Sequence, residues 1–225
     1  MHIEPGVVDA AKIGLSYATA AGAGAFGLYQ LAAASREKGL PSVALRSLIG
    51  TLGTLVFFEL MPHFAVGVSE VHFILGSTLF LILGAGPAAL GLALGLLAQG
   101  MFMAPIDLPQ YGMNLTTLLV PLFALHALAR KIIAPGTAYV DLKYSQALAL
   151  STAYQGGVVA WVAFWAIYGS GFGAENLANV ASFGAAYMLV VIVEPLADLA
   201  VLAGAKSLRG LKGSAFVTPR LYNAA

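Results

Sequence analysis

The chain has 225 residues, of which 60% are hydrophobic and only 9% are charged. A soluble domain carries about 25% charged residues. Together with a mean hydropathy of +0.87, this composition excludes a soluble globular protein and indicates an integral membrane protein. The net charge of +1 argues against a nucleic-acid partner, which requires an excess of Lys and Arg to neutralise phosphates. The absence of cysteine excludes disulfides, thiolate metal sites and cysteine nucleophiles.

The sequence predicts an all-α fold, a polytopic membrane helix bundle formed by one transmembrane domain over residues 1–225. A spanning helix needs about 20 apolar residues, and about seven such runs occur. The third run is short, and Gly84–Pro87 separates it from the fourth as a turn signal. The predicted helices lie near Val8–Ala33, Val43–Met61, Val71–Leu83, Pro87–Met103, Met113–Ile133, Ser145–Tyr168 and Val180–Ala205.

The basic residues predict the orientation. Cytoplasmic loops are enriched in Lys and Arg, and all basic residues except Lys12 fall on one predicted side: Arg36, Lys38, Arg46, Arg130, Lys131, Lys143, Lys206, Arg209, Lys212 and Arg220. We therefore expect a cytoplasmic C-terminus and an N-terminus outside. Because no basic n-region precedes Lys12, we expect no cleavable signal peptide and a mature protein that begins at Met1.

The predicted outer side is rich in acids and imidazoles. It carries His2, Glu4, Asp9, His63, Glu70, His72, Asp107 and Glu175. This set suits the capture of a cation. The retention of bases on the opposite side would concentrate acids here as well, so composition leaves both interpretations open.

The N-terminal tripeptide Met1-His2-Ile3 places three nitrogens in sequence: the α-amine, the His2 amide and the His2 imidazole. They can close a five-membered and a six-membered chelate ring on one metal. Such a planar nitrogen set favours Ni(II), Cu(II) or a constrained Co(II). A fourth nitrogen would complete the set, and the loop that joins the second and third helices offers His63 and His72.

A second outer loop, residues 105–114, contains Asp107 and Asn114. Asn114 is placed to cap the fifth helix. Its amide is alternatively available to hydrogen-bond a metal-bound imidazole or a loop backbone, as groups that support metal ligands do. Asp107 is a weaker candidate for the metal site.

Small residues recur every four positions in the first helix, at Ala10, Gly14, Ala18 and Gly22. Such a stripe allows close approach of another helix, either from the same chain or from a partner subunit. Gly91 and Gly95 repeat the spacing in the fourth helix.

Three ionisable residues fall at membrane depth, where charged groups have partners or functions. Glu59 lies near the outer end of the second helix. Glu194 and Asp198 are four residues apart on the last helix, where two interpretations apply. One is a cation exit path, and the other is hydrogen bonding to polar groups such as Gln99, Tyr154 or Gln155.

Several segments together resemble the CbiM/NikM family, the substrate-binding membrane subunits of energy-coupling-factor cobalt and nickel transporters. Met1-His2-Ile3-Glu4-Pro5-Gly6 resembles the M-H-I-x-x-G start of the family. The further matches, in order, are Ser69-Glu70-Val71-His72 to S-x-S-H, Leu83–Pro87 to L-F-G-P, Gly112-Met113-Asn114 to G-x-N, Val120-Pro121 to V-G-P, and Glu194 to a late glutamate.

The resemblance implies a Co²⁺ or Ni²⁺ cargo held by Met1, His2 and His72, with Ser69, Glu70 and Asn114 in support. It implies a multi-pass protein of a bacterial or archaeal cytoplasmic membrane, in contact with membrane lipid. The implied partners are a transmembrane coupling subunit and cytoplasmic ATPases. Since the chain has no Walker motif, we expect it not to be an enzyme itself.

The chain also departs from the family pattern. His72-Phe73-Ile74-Leu75-Gly76-Ser77 replaces H-P-T-G-T, and Ala104–Asp107 replaces His-Gly-Gly. The alternative function is therefore that of a non-transporting structural or assembly subunit that retains the fold and binds another membrane complex through its smooth helices.

Overall fold

Seven α-helices form the fold in the computed structural model, which describes residues 2–208. A short β-hairpin interrupts the helices. The helices are α1 Gly14–Lys38, α2 Leu40–Leu55, α3 Gly76–Leu83, α4 Ala85–Phe102, α5 Tyr111–Ile132, α6 Tyr144–Ser170 and α7 Ala174–Ser207, and the strands are β1 Phe64–Val66 and β2 Ser69–Val71. A π-helical segment, Val56–Leu60, extends α2, and 3-10 turns at Pro105–Gln110 and Tyr139–Asp141 precede α5 and α6.

The predicted all-α membrane bundle is confirmed. Five of the described helices are long and apolar enough to cross a membrane: α2 with its π-helical extension, α4, α5 with its 3-10 turn, α6 and α7. Helix α3 has eight residues and rises about 12 Å, too little to span. Helix α1 is long enough, but Gly, Ala, Ser, Tyr and Gln make it less apolar. The orientation stays a prediction.

Two predicted helix starts are wrong. The first helix begins at Gly14 rather than near Val8, because residues 2–4 pair with the hairpin and the next residues turn over the end of the bundle. The third begins at Gly76 rather than Val71, because Ser69–Val71 forms a strand. His72 therefore lies in the extended segment before α3 and not at a helix start.

Close helix contacts depend on glycines in α2 and α4. A Cβ added at Gly91 would lie 2.7 Å from Gly50 Cα, and one at Gly95 would lie 2.5 Å from Thr54 Cβ. These two helices can therefore pack only because both positions lack side chains. The predicted small-residue contact of the fourth helix is thus made within the chain.

The hairpin lies against the bundle rather than in solvent. Strands β1 and β2 pair antiparallel, with Ala65 opposite Glu70. The turn residue Gly67 has φ +60°, and a Cβ there would lie 2.2 Å from the Asn179 carbonyl oxygen of α7. Only glycine fits both the backbone conformation and this contact. The turn thus fixes the hairpin on α7.

Candidate metal centre

The N-terminal segment is held as a third strand beside the hairpin. Ile3 forms an antiparallel bridge with Ser69. The Glu70 N–H donates to the His2 carbonyl at 3.0 Å, and the Glu4 N–H donates to the Val68 carbonyl at 3.1 Å. The Ser69 hydroxyl also donates to the His2 carbonyl, at 2.8 Å. Backbone pairing therefore places His2 beside the loop that carries His72.

Asn114 connects this strand to helix α5. Its side-chain oxygen accepts a hydrogen bond from the Ile3 N–H at 2.8 Å, and both residues are buried. The cap interpretation is wrong, because Asn114 lies inside α5 and Gln110 occupies the N-cap position. Asn114 does bond a backbone group, but that of the N-terminal segment rather than that of a loop. These bonds use the Ile3 N–H and the His2 carbonyl, so the anchoring does not consume the His2 amide nitrogen.

The segment that follows His72 is held by α7. The Glu194 carboxylate accepts from the N–H groups of Ile74 and Leu75, each at 2.8 Å, and also from the Gln155 side chain. Leu75 adopts a left-handed conformation with φ 49°, which is costly for a residue with a Cβ. The two hydrogen bonds that the backbone donates to Glu194 stabilise this conformation and fix the path of the chain from the second residue after His72.

The two histidines meet in a buried cluster. His2 is 3% exposed and His72 is 1% exposed, and their ring centroids are 5.7 Å apart. His2, Glu70 and His72 each offer one ligand atom within 4.8 Å of the other two. The nearby Asp107 carboxylate lies 3.9 Å from His2 Nδ1. Imidazole and carboxylate donors this close together can hold one transition-metal ion.

The hydrogen bonds determine which ring nitrogens are free. His72 Nδ1 donates to the Phe73 carbonyl at 3.0 Å, so its Nε2 carries the lone pair. His2 Nδ1 lies 2.6 Å from Glu70 Oε2. Nε2 of both rings is buried and has no hydrogen-bond partner among the described residues. Buried polar atoms normally have partners, so these two nitrogens point to a missing ligand.

Burial and charge keep the cluster ready for a cation. Burial lowers the pKa of His2 below 6.5, although the Glu70 and Asp107 carboxylates act to raise it. Burial acts to raise the pKa of Glu70, but the hydrogen bond and charge of His2 outweigh it, and the pKa falls below 4.5. At neutral pH the imidazole is therefore neutral and Glu70 is ionised, the protonation states that metal ligation requires.

Comparison with known proteins decides the family. The family model described as "CbiM: Cobalt uptake substrate-specific transmembrane region" matches residues 2–210. The chain belongs to the CbiM family. It is a multi-pass membrane component of metal uptake that functions within a transporter complex, and it is not an enzyme by itself.

A solved structure supports the fold of this CbiM protein. It is described as a crystal structure of a truncated transition metal transporter, with a TM-score of 0.66 and 16% sequence identity, and the match covers 90% of this chain and 97% of that chain. At this identity the likeness shows the fold alone. A comparison with curated protein sequences gives no match.

The other predicted site residues fall in different places. His63 lies in an exposed loop, with Nδ1 3.2 Å from the Met61 carbonyl oxygen, and is not part of the three-residue cluster. Met1, the source of the predicted amine ligand, lies outside the described residues. Glu70, predicted as a supporting residue, instead offers an oxygen within the cluster itself.

Phe58 belongs to the site but was not predicted. Its ring centroid lies 4.4 Å from that of His72 and 5.9 Å from that of His2, and the side chain is 1% exposed. It closes the apolar side of the cluster. A Phe in an apolar helix carries no functional signal in a single sequence, so only the fold identifies this contact.

The described contacts of Glu194 and Asp198 are hydrogen bonds. Besides the bonds of Glu194 described above, Asp198 accepts from the hydroxyls of Ser77 and Thr78. Both carboxylates therefore hold the first turn of α3 and the segment before it. Gln155, named from the sequence as a possible partner, does bond Glu194, whereas the backbone partners could not be predicted.

The small-residue stripe of α1 faces outward. Gly14, Ala18 and Gly22 lie on α1 and are exposed, whereas Ala10, also exposed, lies in the turn before the helix and outside the stripe. A Cβ added at Gly14 or Gly22 would meet nothing within 4 Å. The small residues of the stripe are therefore not explained by helix packing within the described part of the chain. The stripe is available to lipid or to a partner subunit.

Proposed function

We propose that this CbiM protein is the substrate-capture permease subunit of an energy-coupling-factor type ABC transporter for Co²⁺ or Ni²⁺. The observation that supports it most is the buried His72 Nε2, which lacks a partner among the described residues and belongs to a ring whose centroid lies 5.7 Å from that of His2. A histidine that only packs in the core has no need of an unsatisfied nitrogen beside a second buried imidazole and a carboxylate. A divalent transition metal bound between the two rings gives this nitrogen a partner and balances the Glu70 charge.

The proposed ligands are the Met1 amine, the His2 amide and Nδ1, and His72 Nε2. Nδ1 is the ring nitrogen that closes the six-membered chelate ring. In the described structure it contacts Glu70, so metal binding at Nδ1 requires the ring proton to move to Nε2 and breaks this hydrogen bond. Glu70 and Asp107 then remain beside the cation as compensating negative charges.

Transport in this proposal is powered by partners. A transmembrane coupling subunit docks on the exposed stripe of α1, and cytoplasmic ATPases supply the energy. The chain itself captures the ion from the outer side of a bacterial or archaeal cytoplasmic membrane and excludes water from it by burial.

Metal analysis of the purified chain with an authentic N-terminus tests the capture step. We expect one Co²⁺ or Ni²⁺ per chain, no retention of Mg²⁺, and loss of the bound metal in His2→Ala. The Mg²⁺ arm is informative because Mg²⁺ prefers oxygen ligands. A chain that retains neither transition metal, or retains Mg²⁺ equally, contradicts the proposal.

The alternative is an assembly subunit without cargo, and the exposed α1 stripe favours it as much as it favours docking in a transporter. The two functions differ in one measurement. A chain that co-purifies with a membrane complex but holds no transition metal at stoichiometric levels supports the alternative.

A further inference from the structure

A cavity lies at the opposite end of the bundle from the histidine cluster. Its volume is about 650 Å³. The C-terminal ends of α1 and α5, the N-terminal part of α2 and the turn between α3 and α4 meet there. The lining includes Arg46, Arg130, His126, Gln30 and Glu37, as well as Gly84–Gly86. The metal proposal uses none of these residues.

Arg46 is the unusual member of this lining. Arg46 is only 9% exposed. Nη1 donates to the Leu83 carbonyl at 2.6 Å, and Nε donates to the Ser42 carbonyl at 3.3 Å. Nη2 is shielded from solvent and has no partner, and no carboxylate lies within 4.0 Å of the guanidinium in the described part of the chain. A buried cation is costly without a closely paired counter-charge, and Glu37 attracts Arg46 only from beyond ion-pair distance.

The N-terminus of α4 lines the same cavity. The first N–H groups of a helix have no acceptor within it, and no side chain caps this end of α4. The helix dipole adds a partial positive charge there. Uncapped N–H groups at a helix N-terminus bind phosphates and other anions. Because Pro87 has no N–H, the free N–H groups here are those of Ala85 and Gly86, in one cavity wall with the buried Arg46 guanidinium.

Arg130 adds a second full positive charge from α5. It is exposed and forms no ion pair among the described residues. The one acidic residue of the lining, Glu37, is exposed and lies 4.0 Å from Lys38. The two arginines exceed the single carboxylate by one charge, so the cavity carries a net positive charge before the helix dipole is counted.

We propose that this cavity binds the phosphate group of an anionic membrane lipid. Guanidinium forks and helix N-termini are both phosphate ligands. The cavity also lies beside the basic last turns of α1 and α5, which contain Arg36, Lys38, Arg130 and Lys131. Basic pockets between membrane helices at a charged face bind anionic lipid head groups. The inference does not depend on the metal proposal.

Native mass spectrometry of the full chain in detergent tests the site. The probes are a phosphatidylglycerol, a phosphatidylcholine of the same acyl chains, and inorganic phosphate. We expect preferential binding of phosphatidylglycerol and a loss of about five-fold in its affinity in Arg130→Gln. Lys131→Gln is the matched control, because Lys131 is the next residue on the same helix end but does not line the cavity.

Three outcomes would overturn the proposal. Equal binding of the two lipids removes the anionic preference. Equal losses in Arg130→Gln and Lys131→Gln reduce the effect to surface charge. If inorganic phosphate displaces both lipids and the chain does not distinguish between them, the site binds free phosphate rather than a lipid. Arg46→Gln is expected to weaken binding further, and the exposed Arg130 keeps the test decisive if the Arg46 variant fails to fold.

Discussion

Glu70 Oε2 lies 2.6 Å from His2 Nδ1, the ring nitrogen that the proposed chelate needs. The carboxylate therefore occupies the position beside Nδ1 in the described structure and must yield it to a metal. Because Glu70 pairs through its backbone with the His2 carbonyl, it stays close after this exchange. One residue thus both holds the imidazole before binding and neutralises charge afterwards.

An added residue before Met1 should abolish high-affinity Co²⁺ and Ni²⁺ binding. The extension moves the α-amine away from the His2 amide and breaks the five-membered chelate ring. Isothermal titration of the extended chain, with a C-terminally tagged chain as the control, measures the loss. Equal affinities in the two chains would show that the amine is not a ligand.

His72→Ala should weaken metal binding by more than the roughly 10- to 100-fold loss typical of residues that only support ligands. His63→Ala is the matched control, because His63 lies in the neighbouring loop and outside the cluster. We expect its affinity to be unchanged. Comparable losses in both variants would mean that the fourth nitrogen is misassigned.

The pH dependence separates a chelate from a site made of side chains alone. The amine has an ordinary pKa of about 7.7–8.0, whereas burial lowers the pKa of His2 below 6.5. Binding to the chelate releases protons from the amine and the amide, so affinity should already fall as the pH drops from about 8 to 6.5. A site that uses side chains alone releases no amine or amide protons. Its affinity should change less in that window, because burial lowers the pKa of His2 below 6.5 and His2 holds the pKa of Glu70 below 4.5.

Asn114→Ala should lower metal affinity about ten- to hundred-fold without loss of the fold. The substitution leaves the buried Ile3 N–H without its acceptor, and the N-terminal strand loses its tie to α5. Asn176→Ala is the control, because Asn176 is a buried asparagine that bonds the carbonyls of Ala166 and Gly171. If both variants bind metal like the parent, the strand is held by the hairpin alone.

Ala18→Leu and Gly22→Leu should leave the isolated chain folded and able to bind metal, while blocking assembly with a coupling subunit. The reason is that both positions face outward. Gly91→Ala is the contrasting variant, since its Cβ would clash with Gly50 and should cost about 1–3 kcal/mol of stability. Thermal unfolding and detergent gel filtration with partners measure both effects. Normal assembly of the leucine variants would show that the stripe faces lipid.

Apolar periodicity predicted the helices well because each membrane span carries its own signal. Helices α4 to α7 are close to the predicted ranges for that reason. The hairpin was missed, since three-residue strands such as Phe64–Val66 leave no periodic pattern, and the apolar residues of the segment extended the predicted third helix back to Val71.

The sequence also predicted part of the site. His2 and His72 were named from their residue type and spacing, and from the resemblance, and the structure brings them together. The direct contact of Glu70 and the packing of Phe58 were not predictable, because both depend on the pairing of residues 2–4 with the hairpin. Likewise, no local pattern indicates that Glu194 bonds the backbone two residues after His72.

The third strand has a consequence for the departure of the ion. His2 lies on one strand, and His72 directly follows the neighbouring strand β2. Several backbone hydrogen bonds join these strands. Asn114 of α5 also accepts a hydrogen bond from the strand that carries His2. We therefore expect exchange of the cargo to require these strands to part, so that its retention is set by the lifetime of this small sheet rather than by the strength of any one metal–nitrogen bond.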